Sequence, residues 1–255
     1  PYDGDRAEPY ASREDVQYIL DQANRVLEPK LKAEEIIGVY AGLRPLVANI
    51  KSATTTKLSR EHTVDRPAAG FVSIAGGKYT TYRVMGKDAV DRAVIELRRI
   101  TQDSVTEKLP LVGADGYFAL EQQKERIAQE SGLDVETVTH LLNRYGSLIS
   151  EILELIAQEP KLAKKLDADL PYIKAEIVYA ATHEGARTVD DVISRRTRLA
   201  FEAEGHGVHL ADEVGALVAP VLGWSAKERK ESIAAYEELV DRELAALDEL
   251  LEANS

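Results

Sequence analysis

The 255-residue sequence predicts an α+β chain: part of a mixed or antiparallel sheet with flanking helices, followed by an all-α C-terminal domain. Two observations carry this prediction. Short strand-type runs stand close together in the first half without a regular strand–helix alternation, which fits adjacent strands with short connections. Residues 118–253, by contrast, repeat apolar positions at helical spacing between glycine and proline stops. Charge marks the same division. Residues 1–107 carry 16 Lys+Arg against 16 Asp+Glu, so the whole formal charge of −12 falls on residues 108–255. Pro110, Gly113 and Gly116 cluster at that change, and the domain boundary is placed there, giving domains 1–107 and 108–255.

Taken in order, Tyr2–Asp5 reads as a strand end entering a turn. Ser12 and Asp15 form a capping box for a helix with Val16, Ile19, Ala23 and Val26 as its apolar stripe, and Pro29 follows its end. Glu35–Leu46 reads as a strand. Ile37, Val39, Ala41 and Leu43 share one face; Gly38, Tyr40, Gly42 and Arg44 share the other. On that second face the glycines are expected to leave room beside Tyr40 and Arg44 for something other than protein. Arginine offers a planar fork suited to phosphate or carboxylate, although a salt-bridged strand-end arginine is the commoner case. Residues 48–56 read as loop, Lys57–Val64 as a short strand with Arg60 and His62 on one face, and Arg66–Gly70 as a turn.

Residues 71–97 are the centre of the chain. Phe71–Ala75 is a strand, Gly76 and Gly77 a sharp turn, and Thr80 or Thr81 the cap of a helix with Tyr82, Met85, Ala89, Ala93 and Leu97 on its buried face. A glycine turn feeding a helix start presents free N–H groups and a positive dipole end, and Lys78 adds a full charge. The corner suits a phosphate, a carboxylate or an electron-rich ring. Neither a P-loop nor a G-x-G-x-x-G fingerprint is present, so the turn by itself is equally compatible with a plain strand–helix corner.

In the second half, expected helices run from Ala119 to Glu130, from the Asp134 cap to Gly146, from Ser147 to Pro160, over Tyr172–Glu184, from the Thr188–Asp191 box, and from the Ser225–Glu228 box to the C-terminal end. On the last, Ile233, Tyr236, Val240, Leu244, Leu247 and Leu251 form the core stripe. His206 and His209 lie three apart, but Gly205 and Gly207 favour a loop over a helical metal site, so no metal is expected. Arg195, Arg196 and Arg198 are expected to pair with the surplus carboxylates. Composition excludes thiol chemistry, since there is no cysteine, and the acidic balance argues against nucleic-acid binding.

The segments YAGLRPLV (40–47), LSREH (58–62), AGGKYTTYRVMGKDAVD (75–91) and AEIVYAATHEGARTVDDVISRRTRLAF (175–201) resemble the FAD-dependent glycerol-3-phosphate dehydrogenases, close relatives of the glycerophosphate oxidases. The resemblance runs along essentially the whole chain, with the motifs in the family's order. It implies the C-terminal part of a longer flavoprotein; the family's N-terminal Rossmann segment has no counterpart here, and the chain opens on proline. It implies oxidation of sn-glycerol 3-phosphate to dihydroxyacetone phosphate, with electrons passing through FAD to a quinone. Oxygen as acceptor, and a helical protein-interaction module without catalysis of its own, are the alternatives.

Carried over by position, Arg44 resembles the arginine facing the substrate. Arg60 and Lys78 resemble the other cations around substrate and flavin, with Tyr40 beside them. Gly76, Gly77, Lys78, Thr80 and Thr81 resemble the turn approaching the flavin's pyrimidine side. Arg44 and Lys78 are the residues expected to act in catalysis, and His62 matches no position with a role. The resemblance implies a cytoplasmic protein, leaves open peripheral membrane association and a homodimer, and implies that the isolated chain does not turn over.

Overall fold

The computed structural model describes residues 4–43 and 61–254. By its contacts the chain divides into two compact units: Pro1–Pro9 with Gly42–Pro110, and Tyr10–Ala41 with Leu111–Ser255. The switch near Leu111 lies close to the boundary expected from charge. Residues 10–41 depart from that expectation, because they cluster with the helical unit.

The smaller unit is a hairpin and a helix. Strand β1 (His62–Ala68) pairs antiparallel with β2 (Phe71–Gly76), with Thr63 opposite Ala75 and Val64 opposite Ile74. The register slips between Asp65 and Ala68. Pro67, which cannot donate to a ladder, is tolerated at that slip, so β1 runs on through Arg66 and Pro67 where a turn was expected. Helix α2 (Tyr82–Glu96) packs back on both strands. Its inner face is Met85, Ala89 and Ala93, half-buried; Tyr82 and Leu97, expected there too, are exposed. No described residue of 61–110 is fully buried.

The larger unit is helical. Helix α1 (Arg13–Ala23) starts at Ser12, whose Oγ accepts the Asp15 N–H at 3.2 Å while Asp15 accepts the Ser12 N–H at 3.0 Å. Its buried side is Val16 with Leu20, packed on Ala246 and Leu250 near the chain's end. Ile19 and Val26, placed on the stripe by spacing, are exposed. Residues 36–43 form no strand among the described residues, correcting the strand expected over Glu35–Leu46. A strand needs a ladder partner; here the Ile37 carbonyl and the Val39 N–H bond instead to Gly205 N–H and the His206 ring.

Beyond residue 110 come α3 (Tyr117–Glu121), α4 (Lys124–Ser131), α5 (Val135–Tyr145), α6 (Ile149–Gln158), α7 (Lys174–Thr182), α8 (Leu199–Glu202), α9 (Ala211–Leu222) and α10 (Ala226–Asn254). The single helix expected over Ala119–Glu130 is thus two. Asp134 caps α5 by accepting the Thr137 N–H at 2.7 Å, and Ser225 with Glu228 caps α10. The Thr188–Asp191 box is present too, but it starts a π-type turn over Asp191–Arg196, closed by a Thr197 N–H to Val192 carbonyl bond of 2.8 Å. Helix α7 lies between two apolar clusters. Val138, Leu141, Ile152 and Tyr179 belong to one, and Ile177, Ile193, Val214, Tyr236 and Val240 to the other. Both bury apolar side chains, which stabilises by about 25 cal/mol per Å² of apolar surface removed from water.

The α+β class is therefore observed, with a two-stranded antiparallel hairpin and a helical C-terminal unit. The strand end at Tyr2, Arg44, the loop 48–56 and Arg60 lie outside the described residues.

Candidate functional site

The smaller unit builds one corner. Strand β2 ends at Gly76, and Gly76 and Gly77 both take left-handed φ values, +76° and +84°. A side chain at Gly77 would be strained by that φ and would also stand 2.6 Å from the Met85 sulfur. The glycine therefore serves the fold by letting α2 close on the turn. Lys78 then enters a 3-10 turn, Tyr79–Thr81, which runs into α2. Thr81 is the residue preceding α2, but its hydroxyl donates to the Lys78 carbonyl at 3.0 Å and does not cap the helix. Thr80 makes no cap either; both threonines are exposed.

The electrostatics of the corner are one-sided. Along α2, Asp88 takes His62 Nε2 at 2.8 Å, Asp91 takes Lys87 at 2.6 Å, and Glu96 takes Arg66 at 2.6 Å and Arg92 at 3.5 Å. Lys78 is exposed, and among the described residues no carboxylate pairs with it. An ammonium unpaired among the described residues, at the positive end of a helix dipole, is an anion-receptive surface, although the Thr81 and Tyr82 N–H groups are already taken within the turn. The stacked rings of Tyr79 and Tyr82, 5.8 Å apart, flank it, with Tyr79 90% exposed. This donor set fits the carbonyl-rich edge of a flavin: N–H donors and a cation, with no acidic side chain paired to oppose them. His62, for which the sequence offered no role, is a hydrogen-bonded partner of Asp88.

The larger unit carries the other described candidate. Tyr40 is 67% exposed and rests edge-on against Phe201, centroids 4.9 Å apart. The open space expected at Gly38 is filled: a Cβ there would lie 2.6 Å from the His206 ring. Gly42 does face open space. Gly76, Gly77, Lys78, Thr80 and Thr81 are brought together on one turn, Tyr40 stands on the other unit, and Arg44 and Arg60 lie outside the described residues.

His206 and His209 face separate carboxylates. His206 Nδ1 is 2.8 Å from Glu243, and His209 Nε2 is 3.2 Å from Asp167; among the described residues no cluster of three metal-ligating side chains occurs. Arg195 pairs with Asp190 and Asp191, Arg198 with Glu202, and Arg196 donates to the Glu184 carbonyl at 2.6 Å.

Sequence reasoning missed two arrangements. One is the His206 contact with residues 37–39, for which the Gly-His-Gly run was the available signal. The other is the fully buried Glu176. It accepts from the Ile173 N–H at 2.8 Å and the Tyr145 hydroxyl at 3.1 Å, and lies 2.9 Å from His140 Nε2. Burial and the neighbouring Glu176 push the Tyr145 phenol well above its ordinary range. Burial likewise raises the Glu184 carboxyl, which Arg144 and Arg196 only partly offset. Glu176, Tyr145 and His140 are thus bonded to one another, whereas the Glu184 Oε2 atom is buried without a hydrogen-bond partner.

Known proteins place this architecture. Residues 104–229 match the family described as the C-terminal domain of alpha-glycerophosphate oxidase. Glycerol-3-phosphate dehydrogenase 2 of Mycobacterium tuberculosis is 49% identical over 240 residues, covering 94% of this chain and 41% of the relative. The mitochondrial glycerol-3-phosphate dehydrogenase of Mus musculus is 34% identical over 231 residues, 88% of this chain and 31% of its own length. A glycerol-3-phosphate dehydrogenase from Bacillus halodurans, solved in complex with FAD, superposes with a TM-score of 0.76 at 25% identity, over 95% of this chain and 47% of that one. The chain thus spans about two fifths of the curated mycobacterial relative it matches. Along nearly its whole length the chain is similar to part of a glycerol-3-phosphate dehydrogenase, and its residues 104–229 are similar to the C-terminal domain of alpha-glycerophosphate oxidase.

Proposed function

We propose that this chain is the share contributed to an FAD-dependent enzyme that oxidises sn-glycerol 3-phosphate to dihydroxyacetone phosphate. The observation that carries the reading is the exposed, carboxylate-free Lys78 on the Gly76–Gly77 turn, in a chain 49% identical along 94% of its length to a glycerol-3-phosphate dehydrogenase. FAD, when bound, supplies the acceptor for the hydride that leaves the substrate's carbinol carbon as its C–O bond becomes a carbonyl. Gly76, Gly77, Thr80 and Thr81 bring the backbone of the turn to the flavin's edge, the Thr81 N–H being itself taken by the Lys78 carbonyl at 3.0 Å, and Lys78 holds positive charge where negative charge develops. A phosphate dianion needs more than one cation; Arg44 and Arg60 join Lys78 in that role, and the family resemblance assigns Tyr40, in the larger unit, to the substrate as well.

The names of the relatives print no electron acceptor, and the oxidase name of the matching family keeps oxygen as the alternative. We assign the quinone, with the enzyme cytoplasmic and docked peripherally on the membrane. In that arrangement the acidic helical unit faces away from anionic lipid. Among the described residues no helix is long and apolar enough to cross a membrane. The reading also makes the isolated chain inactive, because it spans only about two fifths of the mycobacterial dehydrogenase it matches.

The test is an assay of the full-length protein loaded with FAD, supplied with sn-glycerol 3-phosphate and either a soluble quinone or oxygen alone. Quinone-dependent formation of dihydroxyacetone phosphate is expected. Turnover at equal rate with oxygen alone would move the assignment to an oxidase, and no turnover with either acceptor would refute the reading.

A further inference from the structure

We propose that His206 is a positioning residue: from the helical unit it pins the segment 37–40 and so sets where Tyr40 stands. This rests on Tyr40 facing substrate, as proposed above.

Three contacts converge on this segment from the stretch 201–206. The Gly205 N–H donates to the Ile37 carbonyl at 3.0 Å, the Val39 N–H donates to His206 Nε2 at 3.0 Å, and the Tyr40 ring lies edge-on against Phe201. The imidazole is held at both nitrogens. Because Nε2 accepts from Val39, the ring proton sits on Nδ1 and points to Glu243 on α10, 2.8 Å away. The residue is 2% exposed, and its backbone carbonyl accepts the Tyr236 hydroxyl at 2.5 Å. Two features show that the close approach is built in. His206 adopts φ +55°, which costs a non-glycine residue about 1 kcal/mol or more. Gly38 leaves out the Cβ that would collide with the ring at 2.6 Å. A histidine serving only to fill the core would need neither a left-handed backbone nor a glycine opposite.

The geometry separates the two ring nitrogens experimentally. His206→Gln places an amide oxygen near the Nε2 position and keeps the Val39 acceptor. His206→Asn keeps the Nδ1-like donor to Glu243, tolerates the left-handed backbone, and loses the Val39 acceptor. In the full-length FAD-loaded enzyme, His206→Asn is expected to raise KM for sn-glycerol 3-phosphate about tenfold with kcat within about twofold, and to speed amide exchange at Val39 at least tenfold. His206→Gln is expected to stay within about threefold of the parent on each count. Unchanged Val39 exchange in the Asn variant would overturn the pin. Faster exchange with KM unchanged, or equal losses in both variants, would overturn the positioning role. If the parent enzyme itself fails to oxidise the substrate, the proposed function fails, and the exchange result then shows separately whether the pin exists.

Discussion

Removing the buried carboxylate of Glu176 tests the helical unit most sharply. Glu176→Ala strips an acceptor from three donors at once: the fully buried Ile173 N–H, the Tyr145 hydroxyl and the His140 ring. It also removes the charge 3.9 Å from Arg144, itself mostly buried. Each hydrogen bond to a charged group is worth about 1.5–3 kcal/mol net, and the three are coupled, so they do not add. Breaking a buried charged network by removing one member costs about 3–5 kcal/mol, and that is the expected loss. For a unit of this size each kcal/mol moves the midpoint by about 2–4 °C, so the fall is on the order of 10 °C. Glu176→Gln keeps the shape and part of the acceptor set and is expected to lose roughly half as much. Urea unfolding followed by far-ultraviolet circular dichroism reads both, since the signal comes mainly from the helical unit. A loss below about 1 kcal/mol for the alanine variant would show that the network is replaceable by water and that the reasoning is wrong.

Other substitutions separate single causes. Gly146→Ala puts a Cβ 1.9 Å from the Gly113 carbonyl oxygen at φ +59°, so the α5–α6 connection must open; a loss above about 3 kcal/mol is expected, and a soluble, equally stable variant would contradict the close approach. Asp134→Ala removes the α5 cap and is expected to cost about 1 kcal/mol at pH 7. The Thr137 N–H holds the Asp134 carboxyl below the usual carboxylate range. Its stabilisation is therefore present above that range and lost as pH falls through the lowered folded-state value, so the gap between parent and variant should close only in acid below the usual carboxylate range. A gap that persists in acid would mean the cap does not act through the ionised carboxylate.

Much of this fold is legible because caps and stops are local. Ser12–Asp15, Asp134 and Ser225–Glu228 read correctly since each needs only residues within one turn. Amphipathic stripes were less reliable: Val16 is buried but Ile19 and Val26 are not, because α1 meets one narrow seam of α10 and leaves the rest of its surface to solvent. The strand expected at Glu35–Leu46 illustrates what alternation cannot reveal. Its period of two is compatible with any extended segment, and partners some 167 residues away took its backbone groups. The Gly38 reading failed for the same reason, since the occupant of the space was a distant histidine. At the corner, the glycines, Lys78 and the helix start were legible from residues 71–97, whereas Thr81 turned back on Lys78 because a 3-10 turn intervenes before α2.

The account rests on Lys78 acting where substrate and flavin meet. Its most direct measurement is kcat/KM for sn-glycerol 3-phosphate in the full-length protein carrying Lys78→Met, with bound FAD quantified by absorbance. The account predicts a fall of about a hundredfold or more at unchanged FAD content. Activity within about threefold of the parent, with FAD fully bound, would contradict it.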